Sequence, residues 1–325
     1  AYSSYNISGI GSYWSGGRVN ISEYSANPIY KTAQRAGSAP VGRDLIVMLE
    51  AMTHRGKDSS GVTVAGEDTL GGLIVRLWIQ DSEWGADLLN SVESAVRAVG
   101  GEVTSRDARG GFLRLGVGSD VDASRLAGSL ISITGVELHS IGRSSEVIKD
   151  VGTPFEMDLR HQITEIHGTH GIGHVRMATE SRVDISHAHP FWAYPFPDIT
   201  VVHNGQLTNY HRLKRSYEDR GHRFQTQNDS EIIAVYLADK LAAEATLKNA
   251  LEDSLEELDG TFTYLVSTQD SLGFAKDKWS AKPLVTVETN EIVALASEEI
   301  ALSAVMNTDI DRAEPQENEV MTWSL

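Results

Sequence analysis

Cysteine is absent from this 325-residue chain. That absence excludes a disulfide scaffold, thiolate metal centres and a cysteine nucleophile. Positive charge is scarce. Against 45 Asp and Glu stand 28 Lys and Arg, a formal net charge of −17. Such a surface repels phosphate backbones, so nucleic acid is not an expected partner. Long apolar runs are missing too: none approaches the ~18 residues that span a bilayer, and no basic-then-apolar leader opens the chain. The opening Ala1-Tyr2-Ser3 fits a trimmed initiator Met. We therefore expect a soluble, cytoplasmic protein without a membrane partner. What is present is globular in kind, since 41% of residues are hydrophobic and 22% charged. A chain of this length and composition buries a sizeable core and is not disordered.

Apolar periodicity divides the chain. Near the start, Ile7 to Trp14 reads as a strand and Ser15 to Pro40, with Gly16-Gly17 and Asn27-Pro28, as a long loop. Leu45, Met48, Leu49 and Met52 recur at helical spacing, and that helix ends near His54-Arg55-Gly56. Gly61 to Ala65 is the next strand. Residues 71–150 have another rhythm. There, strands at Leu73–Ile79, Glu102–Ser105, Phe112–Val117 and Val136–Ile141 alternate with helices at Asp87–Val99 and Asp120–Ile131. This βαββαβ pattern is ferredoxin-like. It carries no catalytic motif, so a structural or docking role is expected of it. Further on, helices are expected at Asp229–Leu241 and Leu247–Leu258. Strands are expected at Thr200–His203, Phe262–Ser267, Gly273–Lys276, Leu284–Glu288 and Ile292–Ala296.

Four polar strings sit at the ends of apolar elements: His54-Arg55-Gly56-Lys57-Asp58-Ser59-Ser60-Gly61, Gly173-His174-Val175-Arg176-Met177-Ala178-Thr179, His203-Asn204-Gly205-Gln206-Leu207-Thr208-Asn209 and Asn228-Asp229-Ser230-Glu231. Each has an ordinary reading. Asn-Gly is commonly a turn, an Arg at a strand end commonly a surface ion pair, and Asp-Ser-Glu commonly a helix cap. Together they offer more. Arg176 can grip a carboxylate, Asp229 can accept from an ammonium, and an Asn side chain beside a bare glycine amide can receive an oxyanion. Those three features describe a site for an α-amino acid with a reactive carbonyl. The histidines His167, His170, His174, His187 and His189 raise a zinc reading. Gly168, Gly171 and Gly173 argue against the helix that reading needs, and on a strand His167 faces away from His170 and His174. Structural histidines around a polar pocket are expected instead, with no metal.

The order of these strings resembles the class II glutamine amidotransferases, a family of N-terminal-nucleophile hydrolases. Lys282-Pro283 and Ala296-Ser297-Glu298 resemble that family's late strings. The resemblance covers roughly residues 45–70 and 165–320. Within the family, the segment Gly168 to Ser181 and the insertion before it resemble the amidotransferase-like subunits of N-methylglutamate synthase and archaeal-type glutamate synthase. The resemblance implies an α+β fold, a four-layer αββα sandwich of antiparallel sheets. Residues 1–70 and 151–325 would form the amidotransferase-type domain and 71–150 an inserted α+β subdomain. It also implies roles. Arg176 would bind the glutamine α-carboxylate and Asp229 the α-ammonium, Asn204 and Gly205 would form the oxyanion hole, and Arg55 and Gly56 would line the pocket near the nucleophile.

The nucleophile departs from the family pattern. The family opens with Cys-Gly-Ile-x-Gly, and its α-amino group serves as base for its own thiol. Here the nearest string is Ser8-Gly9-Ile10-Gly11, and seven residues precede Ser8. Its nitrogen is therefore an amide, and its hydroxyl is far less acidic than a thiol. Three explanations stand: a serine placed by design for a native cysteine, autocatalytic cleavage after Ile7, or a pseudoenzyme. The implied function is glutaminase action on L-glutamine, giving L-glutamate and ammonia for a separate synthase subunit in an oligomeric or heteromeric complex, with no cofactor. The alternative is an inactive amino-acid-binding or scaffold subunit.

Overall fold

The computed structural model describes residues 39–66, 72–80, 84–118, 120–177, 184–289, 292–306 and 312–324, with the backbone of 9–15. Two antiparallel sheets lie face to face. The first is ordered β13 (Val285–Glu288), β14 (Ile292–Ala296), β1 (Gly9–Ser15), β8 (His170–Arg176), β2 (Ser59–Ala65) and β7 (Ser145–Val151). The second is ordered β15 (Val320–Ser324), β12 (Ser271–Lys276), β11 (Gly260–Ser267), β10 (Thr200–Leu207) and β9 (Phe191–Trp192). Side chains from both fill the space between them: Ile172, Val293 and Leu295 meet Val202, Leu265, Phe274 and Trp323.

Strand parity sorts the remaining apolar residues outward, because alternate residues face opposite sides. Val62, Val64, Val175 and Ala294 face α1 (Val41–Ala51), which joins α4 (Pro154–His161) and α8 (Glu299–Val305) over the first sheet. The helix fits closely because β8 offers it glycine. A Cβ on Gly173 would stand 2.9 Å from the Leu49 side chain. Leu45, Met48, Leu49 and Met52, the residues at helical spacing, are fully buried, each worth about 1.5–3 kcal/mol. On the far side, Val201, Phe262, Tyr264 and Val266 face α5 (Tyr210–Asp219), α6 (Asp229–Ala242) and α7 (Leu247–Glu257). The layers are helix, sheet, sheet, helix.

The third sheet is ordered β4 (Glu102–Arg109), β5 (Phe112–Gly118), β3 (Leu73–Ile79) and β6 (Val136–Gly142). With α2 (Ala86–Ala98) and α3 (Ala123–Ile131) it forms the ferredoxin-like βαββαβ unit, which has its own core of Val75, Leu77, Leu115, Leu126 and Leu130. Strand β7, within the segment 71–150, pairs along its whole length with β2 of the first sheet. The hairpin joining β6 to β7 is pinned by Asp198, whose carboxylate accepts from the amides of Arg143, Ser144 and Ser145 at 2.9–3.0 Å.

Two differences from the sequence reading bear on the site. The strand expected at Thr200–His203 continues through Asn204-Gly205 to Leu207, paired with β11 throughout. Gly205 makes this continuity possible: its φ is 142°, and a Cβ there would stand 2.0 Å from the Thr261 carbonyl oxygen. A side chain would break the pairing at that point. Helix α5 is the second difference: Tyr210, Leu213 and Tyr217 stand at helical spacing, but the sequence reading placed no helix there.

Candidate active site

Five chain segments converge at one end of the two sheets. Strand β8 ends at Arg176, α1 is followed by the turn Thr53–Arg55, β10 carries Asn204-Gly205, α6 opens at Asp229, and β14 runs into Ser297-Glu298. Gly56 packs on the backbone of Arg176 so closely that a Cβ would stand 2.3 Å from its carbonyl carbon.

Asn204 points between the sheets. Its Oδ1 accepts from His174 Nε2 at 3.3 Å, and its Nδ2 donates to Ser297 Oγ at 3.2 Å. The His174 ring stacks on His189 with centroids 4.2 Å apart. Burial drives the His174 imidazole down to about 3, against the bond to Asn204, and drives His189 well below the usual histidine range. Neutral His174 carries one N–H. Placing it on Nε2 leaves only a lone pair at Nδ1, which has no partner among the described residues.

Asp229 is the first residue of α6. Its Oδ2 accepts from the Leu207 amide at 2.9 Å, and its Oδ1 lies 3.6 Å from His203 Nδ1. Burial pushes this carboxyl up, but His203 and the Leu207 and Ser230 amides outweigh burial and hold it below the ordinary aspartate value. Neighbouring Glu231 takes the amides of Gln225 and Thr226 at 2.6 and 2.7 Å, fixing the loop before the helix.

Arg176 is buried, with Asp184 and Asp58 the acidic groups nearest in effect. Burial outweighs their attraction and lowers its guanidinium. Arg55 is ion-paired with Glu298, which also meets His54 Nε2 at 2.9 Å. Attraction to Arg55 and His54 outweighs burial and lowers the Glu298 carboxyl.

Arg55, Gly56, Arg176, Asn204, Gly205 and Asp229 thus lie in one neighbourhood. Ser8 lies outside the described residues. The strand that follows it begins at Gly9, paired with Val175, one residue from Arg176. Sequence reasoning expected His174 only as a structural histidine by a polar pocket, without naming Asn204 as its partner, and assigned no role to Ser297 or Glu298. The signal for His174 is its i, i+2 spacing from Arg176, which puts both on one face of β8. Of the other histidines of the zinc reading, His189 stacks on His174 and the remaining three are dispersed. His170 bonds the Thr268 carbonyl at 3.0 Å, His187 bonds Asp184 at 2.6 Å, and His167 is exposed. Among the described residues, no group of three His, Cys, Asp or Glu is placed to hold a metal ion.

Sandwich and site together define an N-terminal-nucleophile hydrolase fold. Solved glutamine phosphoribosylpyrophosphate amidotransferase from B. subtilis superposes with a TM-score of 0.58 at 18% identity, over 97% of this chain and 47% of that one. The chain spans about half the length of that structure. Residues 174–304 match the family model described as a glutamine amidotransferase domain. A glutamine amidotransferase candidate from Methanothermobacter thermautotrophicus is 38% identical over 85% of this chain and 93% of its own length. The glutamine amidotransferase-like protein GlxB of Rhizobium meliloti is 35% identical over 87% of this chain and 92% of its own. The chain belongs to the class II glutamine amidotransferase family.

Proposed function

We propose that the chain is the glutaminase half of an amidotransferase, binding L-glutamine and releasing L-glutamate and ammonia. Arg176 takes the α-carboxylate and Asp229 the α-ammonium, while Arg55 and Gly56 wall the pocket near the nucleophile. Attack on the side-chain carbonyl carbon puts negative charge on its oxygen. The Asn204 Nδ2–H and the Gly205 N–H receive that charge, each donor worth about 3 kcal/mol. As the Ser8 Oγ bonds to that carbon its hydroxyl proton goes to the leaving nitrogen, ammonia departs as the C–N bond breaks, and water then hydrolyses the resulting ester to glutamate and restores the hydroxyl. Ser8 stands in the nucleophile's place. The ammonia serves a separate synthase subunit in the cytoplasm, within an oligomeric or heteromeric complex.

The observation that carries this reading is the Asn204 amide, held at both ends between the sheets with a bare glycine next to it. The experiment is calorimetry with L-glutamine on the wild type and Arg176→Ala. The variant should bind about 2–5 kcal/mol more weakly; equal affinity overturns the role of Arg176.

A second reading has its own support. With serine at position 8 and no cysteine anywhere in the chain, the same pocket serves an inactive amino-acid-binding or scaffold subunit. Ammonia release from glutamine distinguishes the two readings.

A further inference from the structure

A second polar cavity, of about 110 Å³, lies where the inserted unit meets the sandwich. Its walls include Glu137 and His139 of β6, Lys149 of β7, Phe191 and Trp192 of β9, and Glu231 of α6. Exposed Gln225 stands at its rim.

Lys149 is buried there. Its Nζ reaches the Ser186 carbonyl at 3.3 Å and lies 5.4 Å from the centre of the Phe191 ring. Among the described residues no carboxylate comes within ion-pair distance of it, although Glu137 and Glu231 line the same space. An ammonium has three N–H donors, and burying one so sparsely bonded is costly. Glu231 is occupied in holding the Gln225 and Thr226 amides. Glu137 accepts from Ser186 Oγ at 2.6 Å, and His139 Nε2 lies 3.3 Å from its other oxygen. Although burial opposes it, His139 and Lys149 hold the Glu137 carboxyl at about 2, so it is ionised.

Burial lowers the Lys149 ammonium, and Glu137, Glu231 and Asp184 oppose that fall; the ammonium and the Glu137 carboxylate line one cavity without touching. A simple anion would face two carboxylates, and a simple cation would face Lys149. A molecule bearing both charges suits both walls. Size narrows it further. An apolar cavity of roughly 150 Å³ accepts the six heavy atoms of benzene, so this one fits about four or five.

We propose that this cavity is a second ligand site, for a small zwitterionic amino acid of glycine size, with its carboxylate on Lys149 and its ammonium on Glu137. The inserted unit then has a binding role, because it supplies the ammonium acceptor. The site is separate from the glutamine pocket, and the inference does not rest on glutamine hydrolysis.

The test is glycine titration of the full chain by calorimetry, with acetate and methylamine as half-ligands. The variants are Lys149→Met, Glu137→Gln and Arg176→Ala, each checked for folding by circular dichroism. In Arg176→Ala, which removes the α-carboxylate grip of the glutamine pocket, glycine should still show saturable binding. It should bind Lys149→Met and Glu137→Gln at least about tenfold more weakly than the wild type, and the half-ligands should be weaker than glycine by a similar factor. If Lys149→Met fails to fold, Glu137→Gln, which keeps the side-chain shape, decides. No saturable glycine binding, loss of binding in Arg176→Ala, or unchanged affinity in the cavity variants that fold overturns the proposal.

Discussion

His174 and its buried neighbours make the region around Asn204 sensitive to acid in a calculable direction. Burial lowers His170 to about 4 and His174 to about 3, with His189 well below its usual range. Unfolded, each regains a value near 6.5. The unfolded state therefore binds more protons as pH drops, and the stability these residues confer is full above pH ~6.5 and lost on descent towards pH 4. Each imidazole contributes about 1.4 kcal/mol per pH unit in that window. Urea unfolding at pH 7 and pH 5 should show this loss, and His174→Gln should remove one imidazole's share of the slope. Identical slopes in wild type and variant would mean that His174 is not held neutral. The side-chain amide introduced by this substitution can still donate to Asn204 Oδ1, so the titration changes while the hydrogen bond is spared.

At the scale of elements, β10 carries the site by remaining a strand where the sequence suggests a turn. Asn-Gly signals a turn only when both residues are free to bend, and here Thr263 and Phe262 of β11 hold them extended. The boundary at His203 therefore falls too early in the sequence reading: the long-range partner overrides a local signal. Placing a methyl at Gly205 should cost on the order of 3 kcal/mol. Gly128→Ala provides the contrast. That glycine is exposed in α3, with nothing within 4 Å of where a Cβ would stand, and the substitution should stabilise by about 0.5–1 kcal/mol. Chemical denaturation of both variants checks the pair; a neutral Gly205→Ala would contradict the close approach of β11. Other elements are legible to different degrees. The helix α1 and the βαββαβ unit are plain, because their apolar residues recur with unbroken period. α5 is hidden, since only Tyr210, Leu213 and Tyr217 mark its buried side and no side chain caps its start. α4 has a signal in the Thr153–Glu156 capping box, which a reading by apolar period alone misses. The four strings of the candidate site are legible as strings. Ser297 and Glu298 are legible as a string of the resemblance but not as its supports, because they lie more than ninety residues from the partners they hold.

At the scale of the molecule, the proposed glutamine pocket and the proposed nucleophile Ser8 can be tested together. Removing residues 1–7 and substituting Ser8→Cys should supply a terminal amine and a thiol together. Ammonia release from glutamine should then rise well above that of the parent chain. A folded variant that binds glutamine and releases none would favour the scaffold reading.

The placement of β1 has a consequence for how the molecule is made. This strand, near the beginning of the chain, is seated between β8 and β14, and β14 spans Ile292–Ala296. Until β14 has left the ribosome, β1 has at most one neighbour and an open edge, the kind of exposed backbone that recruits other chains. Closing it requires contacts between residues as far apart as Gly11 and Ala296, and such topologies fold slowly. Ser297 and Glu298 follow β14 directly, so the hydrogen bond to Asn204 and the ion pair with Arg55 form only once that strand has been made. The pocket cannot be assembled before residues 297 and 298 emerge, and a ribosome that stalls before residue 292 releases a protein with an unsealed sheet and an unfinished site.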